Sequence, residues 1–143
     1  MWLAVPETDK CFKKGLLRKG IPESERIEAS LKLAAHYLER GEGNVKLEYY
    51  DVVSLMAYNA TFQCCRALLF NDGITERSHY CAIRYTREKY ASTQLDALAE
   101  ILDDYRQNRH LTQYEGEKVS EKEATEAPAD ARKFLAKTKE ALA

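Results

Sequence analysis

The run Arg106-Gln107-Asn108-Arg109-His110, with Tyr114 four residues further on, is the densest group of chemically competent side chains in the chain. On a helix, residues four apart share a face, so Arg106, His110 and Tyr114 line up along one stripe with Arg109 at its edge. Cation, imidazole and phenol in that arrangement can work on a phosphodiester without a metal. The imidazole moves the proton of a ribose hydroxyl, and a guanidinium holds the phosphate as charge builds on it. Arg and His near the end of a helix also complement the negative end of its dipole, so spacing alone leaves a structural role open.

Other residues qualify as ligands of the same phosphate chemistry. Asn59 and Arg66 are seven apart, hence on one face of a helix, where either can hold a phosphate or nucleotide or else fix helix register. Arg77, Arg84 and Arg87 give the following segment a basic side that would join Arg106 and Arg109 in a phosphate-binding stripe if all five converge; a solvated charged face is the ordinary alternative. His79 stands near a helix start, where it either caps the helix in solvent or binds an anion with the free amides. The 4 cysteines, Cys11, Cys64, Cys65 and Cys81, form no C-x-x-C pair, and with only 3 His they are expected to be buried free thiols rather than redox or metal ligands. P-loop, GxGxxG, Ser-His-Asp and EF-hand spacings are lacking. Neither a metal nor another cofactor is expected.

These side chains need a scaffold of few, long elements. The chain has 143 residues, 45% hydrophobic and 31% charged, with only 6 Gly and 3 Pro, too few to punctuate the frequent turns of a sandwich or barrel. A net charge of -1 excludes coating of nucleic acid by bulk electrostatics, so any contact must be a local patch. With a mean hydropathy of -0.55 and no apolar run of about 20 residues, no membrane span is expected. The opening Met1-Trp2-Leu3-Ala4-Val5-Pro6-Glu7 lacks the pattern of a secretory signal, which points to a cytoplasmic protein.

Residues 1–20 read as an arm that packs on a body formed by residues 21–143. A first long helix starts at Pro22 and Ser24, carries Ile27, Leu31, Ala34, Ala35 and Leu38 as one stripe, and stops at Gly41 and Gly43. A second runs from about Val45 to Phe70 and is apolar around so much of its circumference that it must lie at the centre. A third covers about Ser78 to Tyr90. A fourth, capped by Ser92 or Thr93, shows Leu95, Leu98, Ile101, Leu102 and Tyr105 and leads into the Arg-His run. The last begins with the capping box Ser120-Glu121-Lys122-Glu123 and should kink or restart at Pro128. No strand is predicted. The fold class is all-α, an antiparallel up-and-down four-helix bundle with an additional short or kinked helix.

The segment Ala57 to Ile74, then Ser78-His79, then Tyr105-Arg106-x-x-Arg109-His110-x-x-x-Tyr114 resembles the HEPN superfamily of small helical proteins. Ala34-Ala35-His36-Tyr37-Leu38 and Ala131-Arg132-Lys133-Phe134-Leu135 also fit, so the resemblance spans about residues 20–142. It implies a helical bundle, a homodimer and a role near nucleotides or RNA. Many HEPN members are metal-independent endoribonucleases acting through an Arg and a following His on a late helix, and are encoded beside a minimal nucleotidyltransferase that neutralises them, in some cases by modifying a Tyr. The three residues between Arg106 and His110 are fewer than in those members. Carried over, His110 is the general acid/base, Arg106 or Arg109 the phosphate clamp, and Tyr114 an orienting or modifiable hydroxyl, with Asn59, Arg66, Arg84 and Tyr114 as substrate-binding candidates. The alternative is a non-catalytic module that binds RNA, a nucleotide or a partner protein.

Overall fold

The computed structural model describes residues 6–109, 116 and 118–143 in full and the backbone alone of 110–114. The element order is α1 (Glu7–Lys13), β1 (Leu17–Lys19), α2 (Ser24–Gly43), α3 (Tyr50–Asn71), β2 (Ile74–Glu76), α4 (His79–Lys89), α5 (Gln94–Tyr114) and α6 (Glu121–Leu142). Four long helices, α2, α3, α5 and α6, make an all-α bundle, and α4 is the additional short helix.

The broad apolar surface of α3 places it at the centre. It packs against α2, α4, α5 and α6, and twelve of its residues, including Val53, Phe62, Cys64, Cys65 and Leu68, are buried. Gly41 lets α2 come close to α3, since a β-carbon there would lie 3.3 Å from that of Met56. The helix before it accordingly runs through both expected stop glycines to Gly43, and α3 begins only at Tyr50, after a turn in which Glu48 adopts a φ of 60°.

At its N-terminus α4 is held by Ser78, whose hydroxyl accepts from the Cys81 amide at 3.1 Å. Ser120 does the same for α6, accepting from the Glu123 amide at 3.1 Å. That helix continues without a restart through the buried Pro128, whose missing N–H leaves the Ala124 carbonyl without its helical donor.

Two features depart from the expectations. Leu17–Lys19 and Ile74–Glu76 form an antiparallel pair, with Leu17 opposite Glu76 and Lys19 opposite Ile74. Three-residue strands are too short to show the alternation by which a strand is read. Gly73, at φ 73°, makes the close approach between them, its carbonyl accepting from the Gly20 amide at 2.6 Å. The second departure is that Cys11 and Cys81 are not free thiols: they are joined by a disulfide across 70 residues of sequence, and Cys64 and Cys65 alone remain as buried thiols. Burial pushes the Cys65 thiol up to about 12, so it stays protonated and unreactive.

The disulfide, the strand pair and the 2.5 Å hydrogen bond from Thr8 to Glu88 fasten residues 6–20 to both ends of α4 and to the segment before it. Closing so long a loop restricts the unfolded chain by about 4 kcal/mol in the chain-entropy account. Reductant should therefore lower the melting temperature by at least about 5 °C in the intact protein. A Cys11→Ser variant should melt at the lower temperature whether or not reductant is present. Equal melting of the intact protein in both conditions would contradict a stabilising bridge.

Candidate functional site

The Arg-His run lies on the last turns of α5, and its two arginines reach across to α3 and α4 through aromatic rings. The Arg109 guanidinium lies 5.1 Å from the ring centre of Tyr58 on α3, and that of Arg106 lies 5.5 Å from the ring of Tyr80 in the first turn of α4. An aromatic face attracts a cation through its quadrupole and keeps a long side chain extended over the surface. Arg106 is further fixed by Asp103, one turn back, whose carboxylate accepts from its Nε at 2.8 Å.

Tyr58 joins this pair of cations to a histidine. Its ring is buried, while its hydroxyl lies 2.8 Å from Nδ1 of His79, the first residue of α4. The exposed imidazole stacks on Phe62, one turn along α3, with ring centres 3.8 Å apart. Burial against these rings, then the charges of Arg109, Arg106 and Arg66, hold His79 below its ordinary value of 6.5. On the other side of the histidine, Tyr37, Asn59, Phe62, Gln63, Arg66 and Glu76 line a cavity of about 280 Å³. Arg66 is set there by Glu76, whose carboxylate accepts from its Nε at 2.6 Å, and by the Phe70 ring 5.1 Å away.

A second cleft, about 240 Å³ between α3 and α5, is lined by Val52, Leu55, Tyr58, Tyr105, Asn108 and Arg109 among others. Tyr58 and Arg109 thus border it as well. Burial, with nearby carboxylates led by Asp130, pushes Tyr105 up to about 12, so its hydroxyl stays neutral.

The structure therefore brings together Arg106 and Arg109 around His79, and puts Asn59 and Arg66 on one cavity beside it. Arg77, Arg84 and Arg87, by contrast, are not among the charges that act on His79. Arg87 pairs with Asp96 at 2.9 Å and Glu100 at 3.8 Å, and Arg84 lies 3.4 Å from Glu88 one turn along its own helix. Both side chains thus have carboxylate neighbours on α4 and α5, as Arg106 has Asp103 and Arg66 has Glu76. Arg66 joins the cluster in their place. His110 and Tyr114 fall within α5, but their side chains lie outside the described residues.

Sequence reasoning gave no role to Tyr58 and treated His79 as a cap or anion ligand only. The spacing of Tyr58 and Phe62 at i and i+4 was the one signal for the aromatic seat of the imidazole. Among the described residues, no three His, Cys, Asp or Glu side chains are placed to share a cation, and no helix is long and apolar enough to cross a membrane.

Because His79 is depressed, the unfolded chain binds its proton more readily than the folded one. Its neutral form therefore adds stability that is present above about pH 6.5 and is lost as the pH falls. Between pH 7.5 and 5.5 the urea midpoint of the wild type should drop more than that of His79→Gln. The difference is expected to be small because the ring is exposed, and parallel changes in the two proteins would contradict it.

A helical bundle with cations clustered near the end of a late helix fits the family to which the sequence points. The HEPN domain family model matches residues 27–141, and the chain belongs to that family. No curated protein matches it.

Proposed function

We propose that this HEPN protein binds RNA across the α3–α5 face and cleaves it without a metal. The observation that carries this reading is that Arg109 stacks on the Tyr58 ring whose hydroxyl meets His79, Arg106 on the ring of the adjacent Tyr80, and Arg66 shares a cavity with the same histidine, in a chain whose net charge is -1. A nearly neutral protein concentrates three guanidinium groups where a phosphate chain could be gripped locally.

Cleavage follows the chemistry of a ribose neighbour. The 2′-hydroxyl attacks the adjacent phosphorus, giving up its proton to a base, as the bond from phosphorus to the 5′-oxygen breaks. The leaving oxygen takes a proton, and the products are a 2′,3′-cyclic phosphate and a 5′-hydroxyl. His110 is the proton carrier in this proposal, and Arg106 or Arg109 stabilises the charge that develops on the phosphate oxygens. Tyr114 orients the substrate or accepts a modification. The protein acts as a cytoplasmic homodimer, with a minimal nucleotidyltransferase as the partner that controls it.

Incubation of varied RNAs with the purified protein in chelator, beside His110→Ala, tests the reading. Cleavage by the wild type, lost in the variant, is expected. No cleavage, or cleavage unchanged by the substitution, contradicts it. Light scattering should give twice the chain mass, and a monomer at high concentration would contradict the dimer.

One observation favours a second reading, a binding module without catalysis. Arg106 and Arg66 already have carboxylate partners, Asp103 and Glu76. Such pairs suit a rigid ligand cradle as well as a clamp. RNA binding without cleavage would select it.

A further inference from the structure

The hydrogen bond between Tyr58 and His79 determines what the histidine can offer a ligand. Tyr58 is 2% exposed, and a buried phenol must place its proton on an acceptor. Nδ1 of His79 lies 2.8 Å away, and a neutral imidazole with its hydrogen on Nε2 accepts from the phenol there. Nδ1 then carries the lone pair, and the ring hydrogen resides on Nε2 at the opposite, exposed edge. Stacking on Phe62, at an interplanar angle of 21°, keeps the ring from turning.

The groups facing that ring come from every side. Arg109 and Arg106 approach from α5, the latter tied to Asp103; Arg66 approaches from α3, tied to Glu76 at the end of β2; Tyr37 of α2 with Asn59 and Gln63 of α3 line the same cavity. With three guanidinium groups nearby, a charged imidazole would be a fourth cation in one place. An uncharged N–H donor adds a directed hydrogen bond without that repulsion.

We propose that His79 is a phosphate-binding residue of this site, its Nε2–H turned outward by the Tyr58 hydroxyl to donate to a phosphodiester oxygen between Arg66 and the Arg106–Arg109 pair. The inference rests on the RNA-binding reading and adds the donor that links its two groups of arginines. It also assigns His79 a role other than acid–base catalysis, because one ring nitrogen is engaged by Tyr58 and the other already holds the proton.

The test uses a fluorescein-labelled 2′-O-methyl oligonucleotide, which has no hydroxyl to attack and so reports binding alone. At pH 7.5, His79→Ala should weaken binding at least about tenfold, the low end of the range for one lost hydrogen bond to a charged group. His79→Gln, whose side-chain amide carries an N–H close to the Nε2 position, should return affinity to within about twofold of wild type. Wild-type affinity should be flat from pH 8 to 6.5. Tyr58→Phe frees Nδ1 to take a proton, so its affinity should climb as pH falls toward 5.5. Long-range proton–nitrogen NMR spectra of the free wild type should show the Nε2–H tautomer.

Normal binding by His79→Ala, failure of His79→Gln to restore it, or an Nδ1–H tautomer would each overturn the proposal. A wild type that ignores the probe overturns it together with the RNA-binding reading. A wild type that binds, and is weakened by loss of Arg109 but not of His79, overturns the His79 assignment alone.

Discussion

The double variant Arg106→Ala/Arg109→Ala is expected to bind RNA at least roughly 100-fold more weakly than wild type, because each hydrogen bond to a charged group contributes about 1.5–3 kcal/mol. Neither side chain belongs to the core: Arg109 is exposed and Arg106 half-buried, so the fold should survive. The rings of Tyr58 and Tyr80 lose their cations, a cost to stability of about 1–2 kcal/mol per pair. The same protein carries an internal control. Removing two of the three guanidinium charges that depress His79 should let its titration, followed by NMR, move back toward the ordinary histidine value. Weak binding with an unmoved His79 would mean that the arginines touch RNA but lie away from the imidazole. Unchanged binding would remove the electrostatic basis of the site.

Phe134→Ala should have the largest effect on stability, about 3–5 kcal/mol. Phe134 is 0% exposed, on the side of α6 that meets α3, and belongs to the same core cluster as Cys64, Cys65 and Leu68. Its fully buried neighbours along α6 are Ala124, Ala127, Pro128, Ala131 and Thr138, all small, and the larger Leu135 and Leu142 already pack on the edge of the same cluster. A cavity would remain beside the central helix. Urea unfolding measures this directly, and a loss below about 1 kcal/mol would show that α6 is not anchored by this ring.

The helices were legible because their signals are local. The stripe of Ile27, Leu31, Ala34 and Leu38, the hydroxyl cap Ser120, and the apolar surround of α3 are each read within a few turns of chain. What could not be read depends on segments far apart in sequence. The partner of Cys81 is Cys11, and that of Leu17 is Glu76; neither choice leaves a mark in the residues themselves. Pro128 was expected to kink or restart its helix; α6 runs through it without a restart, with Pro128 buried beside Ala124, Ala127 and Ala131.

The site divides the same way. Arg106 and Arg109 stood out because they are three apart on one helix. Arg84 and Arg87 looked equal to them; that Arg106 and Arg109, and not these, act on His79 follows from the packing of α5 beside α3 and α4. His79 gained its role from Tyr58, 21 residues earlier, and from a ring stack on Phe62 that only the turn between α3 and α4 creates. A histidine directly after a capping serine carries no signal for such a partner.

The claim on which the account rests is that phosphates bind at the Arg106–Arg109 face. Titrating the 2′-O-methyl oligonucleotide over a range of salt concentrations tests it most directly, because the slope of log affinity against log salt counts the phosphates neutralised, at about 0.7 per contact for single strands. Arg106→Ala and Arg109→Ala should each weaken binding and each reduce that slope by roughly 0.7. A slope identical to wild type in both variants would place the phosphate-binding surface elsewhere on the molecule.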